Sequence, residues 1–221
     1  MDFSEVLKRR TIRQFTQEPL KKEDLCAILN AARLASCASN KQRLRYLVAT
    51  ESSLVAKILP HTAYAALVQP HRDPVPGRTS PTVFIAVVCN CEPGPLLHAD
   101  AGAAIQSMEF AAWERGIGCC WIGSHKREKI ADVLGLEHPD RILYLVALGY
   151  PAESPVCEDV GDRAVTNYYL DDKNTLHVPK LTVDAITKWC CRFLKLVSKN
   201  ERFCIVPQGR TGEVSASPSS A

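Results

Sequence analysis

Three arginines lie close together near the start of the chain, at Arg9, Arg10 and Arg13, with Thr11 between them. The segment alternates as an extended chain does, so Thr11 and Arg13 are predicted to project to the same side. Guanidinium groups and a hydroxyl on one side suit a phosphate dianion, which accepts several charge-assisted hydrogen bonds. Taken by itself, such a cluster is more often a solvated charged surface.

Two further segments offer groups that suit a flat ligand. Residues 36–42 carry hydroxyl and amide side chains ahead of a predicted strand, and amides match the pyrimidine edge of a flavin or its ribityl hydroxyls. Residues 116–123 contain three glycines, which permit close approach of the backbone. Each segment also has an ordinary interpretation, as a turn in the first case and as a helix end followed by a buried strand in the second.

Motifs that would bring chemistry of their own are absent from the sequence. No glycine-rich dinucleotide or Walker loop, zinc-protease motif or nucleophile elbow occurs. The ten cysteines include no Cys-x-x-Cys pair, which predicts reduced and mostly buried thiols and neither a zinc site nor a disulfide framework. Either a cofactor brings the chemistry, or the protein is not an enzyme.

Composition bounds the class of protein. The 221 residues are 46% hydrophobic and 23% charged, with 27 basic and 24 acidic residues. These values exclude a disordered chain, a coiled coil and a strongly cationic nucleic-acid binder. The N-terminus is unlike a signal peptide, and no apolar run approaches the roughly 20 residues of a membrane span. We therefore expect a cytoplasmic protein with neither nucleic acid nor a membrane as partner.

Periodicity predicts an α+β or mixed α/β domain with more helix than strand. One domain is predicted over residues 1–200 and a disordered tail over 201–221. The predicted strands cover residues 43–50, 82–89 and 142–148, and residues 119–122 form a short apolar segment. The predicted helices cover residues 2–8, 19–32, 54–68, 100–115, 126–134 and 182–197, and the third of them is predicted to break near Pro60. An irregular excursion at 69–81 and a long loop that ends at Pro179 complete the prediction.

The order of these segments resembles the FMN-dependent nitroreductase family. The resemblance is carried by Arg-Arg-Thr-Ile-Arg-Gln-Phe at 9–15, the loop at 35–42, Asp-Ala-Gly at 100–102, Gly-Ile-Gly at 116–118, Trp-Ile-Gly at 121–123 and Leu-Gly-Tyr-Pro at 148–151. Residues 168–172 and 177–180 are similar to a closing segment in one branch of the family. Together these motifs span most of the chain.

The resemblance implies a homodimer with a central, mainly antiparallel sheet flanked by helices, and FMN at the subunit interface. NAD(P)H would reduce FMN, which would then reduce a nitroaromatic, quinone or enone by a ping-pong mechanism, with no catalytic side chain and no metal. The phosphate and ribityl chain would be held by Arg9, Arg10, Thr11, Arg13 and Lys180. The ribityl chain or ring would be contacted by Ser39, Asn40, Gln42, Trp121, Ile122 and Gly123.

The sequence departs from the family pattern at two positions, and two other functions stay open. Arg43 stands where a proline is usual, and Leu181 stands where an arginine is usual, for which Arg163 is a candidate substitute. One alternative is a flavin-handling or redox-sensing protein without NAD(P)H turnover. The other is an interaction protein that uses the basic residues at 9–13 and 188–202.

Overall fold

The computed structural model describes residues 3–64 and 72–189, of which those up to Ile186 form one compact unit. The strands are β1 (Leu44–Ala49), β2 (Val83–Cys89), β3 (Gly118–Ile122), β4 (Ile142–Gly149), β5 (Val156–Val160), β6 (Tyr169–Leu170) and β7 (Leu176–Leu181). The α-helices are α1 (Phe3–Leu7), α2 (Lys22–Leu34), α3 (Ser52–Ile58), α4 (Pro95–Trp113), α5 (Arg127–Leu134) and α6 (Val183–Ile186).

The main sheet has four strands in the order β1-β2-β4-β3, and every neighbouring pair is antiparallel. All seven residues of β2 are buried, because this central apolar strand is covered on both faces. Three of these strands are the three that periodicity predicts, and the fourth, β3, contains the short apolar segment at 119–122. The α+β fold with an antiparallel sheet flanked by helices is therefore confirmed.

Alternation along β2 divides the core into two layers, since successive side chains of a strand point to opposite faces. Ile85 belongs to the layer that includes α2 and α4, where it shares a cluster with Met108. Phe84 belongs to the layer that includes α3 and α5, where it shares a cluster with Ile130. The sheet therefore lies between two pairs of helices.

Two facing glycines bring the N-terminal segment against the sheet. Gly118 of β3 pairs with Gly149 of β4. A Cβ on Gly118 would lie 2.7 Å from the Cβ of Ile12, and a Cβ on Gly149 would lie 2.9 Å from the Cβ of Phe15. The backbone N–H of Ile12 also donates to the carbonyl of Cys119 at 2.9 Å. This packing fixes the arginine-bearing segment beside β3.

The helices α4 and α2 begin at residues other than the predicted ones, and a proline lies at or near each of these starts. α4 begins at Pro95 and not at residue 100, because Gly94 precedes it and proline is tolerated in the first turn. The break predicted near Pro60 is confirmed, because α3 ends at Ile58 and a short 3₁₀ turn at Leu59–His61 contains this proline. Residues 65–68 of the predicted helix lie outside the described residues. α2 begins at Lys22, three residues after Pro19.

The predicted loop before Pro179 is wrong, because this region forms a second sheet in the order β5-β7-β6. β5 and β7 pair in parallel, and β6 and β7 pair antiparallel. These strands are two to six residues long and mix polar with apolar side chains, so they carry no clear periodic signal. Their pairing is a tertiary effect.

The last predicted helix is shorter than expected, since α6 ends at Ile186 and residues 187–189 are not helical. The rest of that helix, the predicted domain boundary at residue 200 and the tail at 201–221 lie outside the described residues, as do residues 69–71 of the predicted excursion. Among the described residues, no helix has both the length and the apolar character needed to cross a membrane.

Candidate functional site

The arginine-bearing segment is held on α4 by a buried ion pair. Nη2 of Arg9 lies 3.3 Å from Oε2 of Glu109, and the Glu109 side chain is 4% exposed. Burial raises the pKa of the Glu109 carboxyl, and the neighbouring Arg9 charge partly opposes the increase. The ion pair therefore holds Arg9 against α4.

Two guanidinium nitrogens in this segment are buried without a partner. Nη1 of Arg9 and Nε of Arg10 make no hydrogen bond to any residue in the described part of the chain. Nη1 of Arg10 donates instead to the backbone carbonyls of Leu7 and Arg9. Buried cationic donors are costly when unpaired, so their presence favours an anion as ligand. Thr11 lies half-buried beside them.

Arg13 is fixed by its backbone, and its side chain points towards a later part of the chain. Its N–H and that of Gln14 both donate to Oε1 of Glu153, the second at 3.1 Å. Oε2 of Glu153 pairs with Nη2 of Arg72 at 3.1 Å. The guanidinium carbon of Arg13 lies 5.6 Å from the centre of the Tyr168 ring, which suits a cation–π contact.

The predicted flavin-contact loop is strained and tied to α4. Ser39, Asn40 and Gln42 have φ values of 52°, 51° and 46°, a region that residues other than glycine rarely occupy. The N–H of Ala38 donates to Oδ1 of Asp100 at 2.8 Å, and the amide of Gln42 donates to Oδ1 of Asn40 at 3.2 Å. Strain of this kind is often maintained at binding sites.

The end of β3 presents an aromatic side chain. Trp121 is 38% exposed and packs edge-to-face on Tyr144, with the ring centres 5.1 Å apart. Tyr144 in turn shares a hydrogen bond of 3.1 Å with Nδ1 of His98. Ile122 is buried and Gly123 is exposed. The end of β3 therefore offers an ordered indole next to accessible backbone.

The last predicted residue lies elsewhere in the fold. Lys180 is exposed on β7 of the second sheet, where it is the register partner of Asp159 on β5. Its ammonium group makes no hydrogen bond or ion pair with another described residue. Arg163, the candidate substitute for the arginine missing at Leu181, is exposed in a short 3₁₀ turn. The structure thus places the residues from 9 to 13 beside β3, and Lys180 in a separate element.

Three carboxylates that sequence reasoning missed position these elements. Asp100 holds the loop, Glu109 holds Arg9, and Glu153 holds the backbone at residues 13 and 14. Asp100 and Glu109 are nine positions apart on α4, which corresponds to about 13 Å along a helix. The available signal was helical spacing, since Asp100 lies four positions before Ala104 and Glu109 lies four positions after Ile105, on the buried side of this helix. Glu153 has no local signal, because its partners are 140 positions away.

The sequence and the fold match known proteins. The model of the nitroreductase family matches residues 6–85 and 92–150. A protein of Archaeoglobus fulgidus, named for NADH dehydrogenase and NAD(P)H nitroreductase activity, is 26% identical over 72% of this chain and 90% of its own length. A Bacillus subtilis protein named FMN reductase (NADPH) is 27% identical over 66% of this chain and 64% of its own.

Solved structures agree with this match. A crystal structure from Desulfovibrio desulfuricans, described as a nitroreductase in complex with FMN, superposes with a TM-score of 0.57 and is 27% identical. The superposition covers 69% of this chain and 87% of the other. The matched residues of the family model include the arginines, the strained loop and β3, but end before Lys180.

Proposed function

The chain belongs to the nitroreductase family, and we propose on that premise that it is an FMN-dependent oxidoreductase in which NAD(P)H reduces FMN and a small acceptor is then reduced. Relatives named NAD(P)H nitroreductase and FMN reductase (NADPH), and a structural neighbour with FMN, support the cofactor and the class of enzyme. The proposal includes a ping-pong order, a nitroaromatic, quinone or enone as acceptor, and a cytoplasmic location.

The observation that carries the proposal is the pair of unpartnered guanidinium nitrogens on Arg9 and Arg10. They lie in the segment that the family resemblance assigns to the FMN phosphate, and a phosphate dianion would accept hydrogen bonds from both. The residues present therefore fit the cofactor. Ser39, Asn40 and Gln42 provide the hydroxyl and amide groups that a ribityl chain or a flavin ring would need.

When bound, FMN supplies the redox chemistry, accepting a hydride from NAD(P)H and passing two electrons to the acceptor. The residues of the chain have to bind and orient this cofactor. Arg9, Arg10 and Thr11 would hold the phosphate, with Arg13 and Lys180 as further cations. The Ile122–Gly123 backbone and the Trp121 side chain would lie at the ring. No general base is required of the protein, because hydride transfer depends on close stacking of donor and acceptor.

A homodimer is part of the proposal. Ser39, Asn40 and Gln42 are exposed on the surface of the single chain, although their strained backbone indicates a specific contact. Large apolar side chains are also exposed, including Leu34 on α2 and Leu96 on α4. A second copy would bury such side chains, and removal of apolar surface from water is favourable. Light scattering coupled to size-exclusion chromatography would measure the mass.

The test is anaerobic mixing of the purified flavin-loaded protein with NADPH or NADH while the visible flavin absorbance is followed. The proposal predicts a yellow protein that at least one nucleotide bleaches and an acceptor such as menadione restores. Parallel lines in double-reciprocal plots would support the ping-pong order. Bound flavin that neither nucleotide bleaches would favour the flavin-handling alternative, and a colourless protein that rejects FMN would contradict both.

A further inference from the structure

A cavity of about 590 Å³ opens beside the strained loop, between the C-terminal half of α2, the start of β1 and α4. Its volume lies in the range of small-molecule sites, which hold roughly 300–1,000 Å³. Gln42 lines this cavity and also belongs to the predicted flavin-contact loop. Ser36 and Cys37 of the same loop line it as well, so the cavity adjoins the proposed FMN site and extends from it to surface of α2 and β1 that has no role in that site.

Arginine side chains dominate the charge around this cavity. Arg33, Arg43 and Arg45 line it, and none of the three forms an ion pair with a carboxylate in the described part of the chain. Arg33 donates to Oδ1 of Asn30, at 2.8 Å from Nη2, and Arg45 donates to the backbone carbonyls of Gln42 and Leu44. Arg43 makes no side-chain hydrogen bond with a described residue.

Acidic charge in the lining is already engaged. Among the described residues that line the cavity, Asp100 carries the one carboxylate, and its Oδ1 accepts the N–H of Ala38. Three arginines thus line the cavity, with one carboxylate to offset their charge. Such an excess of positive charge favours an anionic ligand, and guanidinium groups bind phosphate oxygens in a bidentate manner.

The inner surface of the same cavity is apolar. Leu29 and Ala32 of α2, Leu44 of β1 and Ala104 of α4 line it. An apolar surface beside a cluster of guanidinium groups matches a ligand that has a flat, weakly polar body and a phosphate substituent. A free phosphate ion would use the arginines and leave the apolar surface without a role.

We propose that this cavity binds the adenosine 2′,5′-bisphosphate half of NADPH, and that Arg33, Arg43 and Arg45 select NADPH over NADH through the 2′-phosphate. Arginine is the residue that accommodates this phosphate in dinucleotide-binding proteins. The adenine ring would lie on the apolar surface, and the nicotinamide would extend past Gln42 towards the flavin. This inference rests on the proposed function, because it assigns the reductant of the same site.

The experiment measures binding of adenosine 2′,5′-bisphosphate and of AMP to the flavin-loaded protein by calorimetry. The test variant combines Arg33→Gln, Arg43→Gln and Arg45→Gln. The control variant combines Lys22→Gln, Arg78→Gln and Arg127→Gln, which removes the same charge from exposed positions outside the cavity. Flavin content and molecular mass are measured on every sample.

We expect the native protein and the control variant to bind the bisphosphate more tightly than AMP. The test variant should bind the bisphosphate at least about tenfold more weakly, as the loss of one charge-assisted contact implies. Its kcat/KM should fall at least about tenfold further with NADPH than with NADH, for the same reason.

Other outcomes would overturn the inference. Equal affinity for the bisphosphate and AMP in the native protein would contradict it, as would equal weakening in the control variant. A change of molecular mass in the test variant without loss of bisphosphate binding would assign the cavity to a contact between copies. If flavin is bound and is bleached equally by NADPH and NADH in every variant, the proposed function stands. That result would contradict the selection of NADPH over NADH by the three arginines. Absence of flavin would contradict the proposed function itself.

Discussion

Arg9 and Glu109 form an ion pair of 3.3 Å that joins the N-terminal segment to the C-terminal half of α4. The carboxylate is 4% exposed and the guanidinium side chain 18% exposed, so the pair is largely shielded from solvent. Shielding makes each partner dependent on the other, because a buried charge without a partner is strongly unfavourable. Glu109 therefore positions the guanidinium group of Arg9 through Nη2 and leaves Nη1 without a partner among the described residues.

The raised pKa of Glu109 predicts a pH dependence of stability. Burial is the main reason why the pKa of this carboxyl lies above its ordinary value of 4.5. The carboxyl therefore binds a proton more readily in the folded than in the unfolded protein. The free energy of unfolding should therefore fall as the pH rises from the ordinary pKa of the carboxyl through its raised pKa in the folded protein. The variant Glu109→Gln should lack this fall. Urea denaturation at several pH values would measure it.

The control for that prediction is Glu128→Gln, at an exposed position on α5. This variant should keep the pH dependence of the native protein. Identical pH profiles for the native protein and Glu109→Gln would show that Glu109 titrates normally, and would contradict the role given to burial.

A methyl group at position 118 should destabilise the fold. In Gly118→Ala, the added Cβ would lie 2.7–2.9 Å from three atoms of the branched Ile12 side chain. Overpacking of this kind costs about 1–3 kcal/mol of unfolding free energy. Gly161→Ala is the matched control, because nothing lies within 4 Å of its added Cβ. If both variants unfolded at the same temperature, the close packing of Ile12 on β3 would be refuted.

The sequence predicts those elements whose hydrophobic pattern is clear within a short stretch of the chain. Seven consecutive apolar residues identify β2, and the spacing of Leu25, Ile28 and Ala32 identifies α2. The second sheet escapes prediction, because β5 and β7 depend on each other across about twenty residues and neither has a strong pattern. The arrangement of the site also depends on contacts between distant parts of the sequence. Nothing about Glu153 in the sequence indicates that its carboxylate accepts a hydrogen bond from the backbone of Arg13.

The adjacent thiols of Cys119 and Cys120 should be unreactive in the folded protein. Burial raises the pKa of Cys120 to about 12 and also raises that of Cys119, so neither forms the nucleophilic thiolate near neutral pH. Cys26 is exposed and should react with iodoacetamide before the other six cysteines of the described residues. Peptide mass spectrometry after timed labelling, with and without denaturant, would measure this. Rapid native labelling of Cys119 or Cys120 would contradict the prediction.

His177 should titrate above its ordinary pKa of 6.5, because Glu158 and then Asp171 accept hydrogen bonds from its two ring nitrogens. The stabilisation is present below the ordinary pKa and is lost as pH rises through the raised value. An NMR titration of the imidazole would measure the pKa. Glu158→Gln should lower it more than Asp171→Asn does.

The second sheet should respond to the same titration. His177 on β7 bridges to Glu158 on β5 and stacks on Tyr169 of β6, with ring centres 4.8 Å apart. Hydrogen exchange in β5 and β7 should therefore increase as His177 loses its proton. Exchange that is independent of pH, after correction for the intrinsic rate, would show that the bridge does not stabilise this sheet.

The most direct test of the central claim compares the affinity of the flavin-free protein for FMN and for riboflavin, which lacks the phosphate. Within residues 3–64 and 72–189, Arg10 has a buried nitrogen without a partner and forms no ion pair, so Arg10→Gln removes a predicted phosphate donor and leaves the Arg9–Glu109 pair intact. We expect FMN to bind at least about a hundredfold more tightly than riboflavin, with Arg10→Gln reducing that preference about tenfold or more and Arg127→Gln leaving it unchanged. Equal affinity for FMN and riboflavin in the native protein would contradict the account.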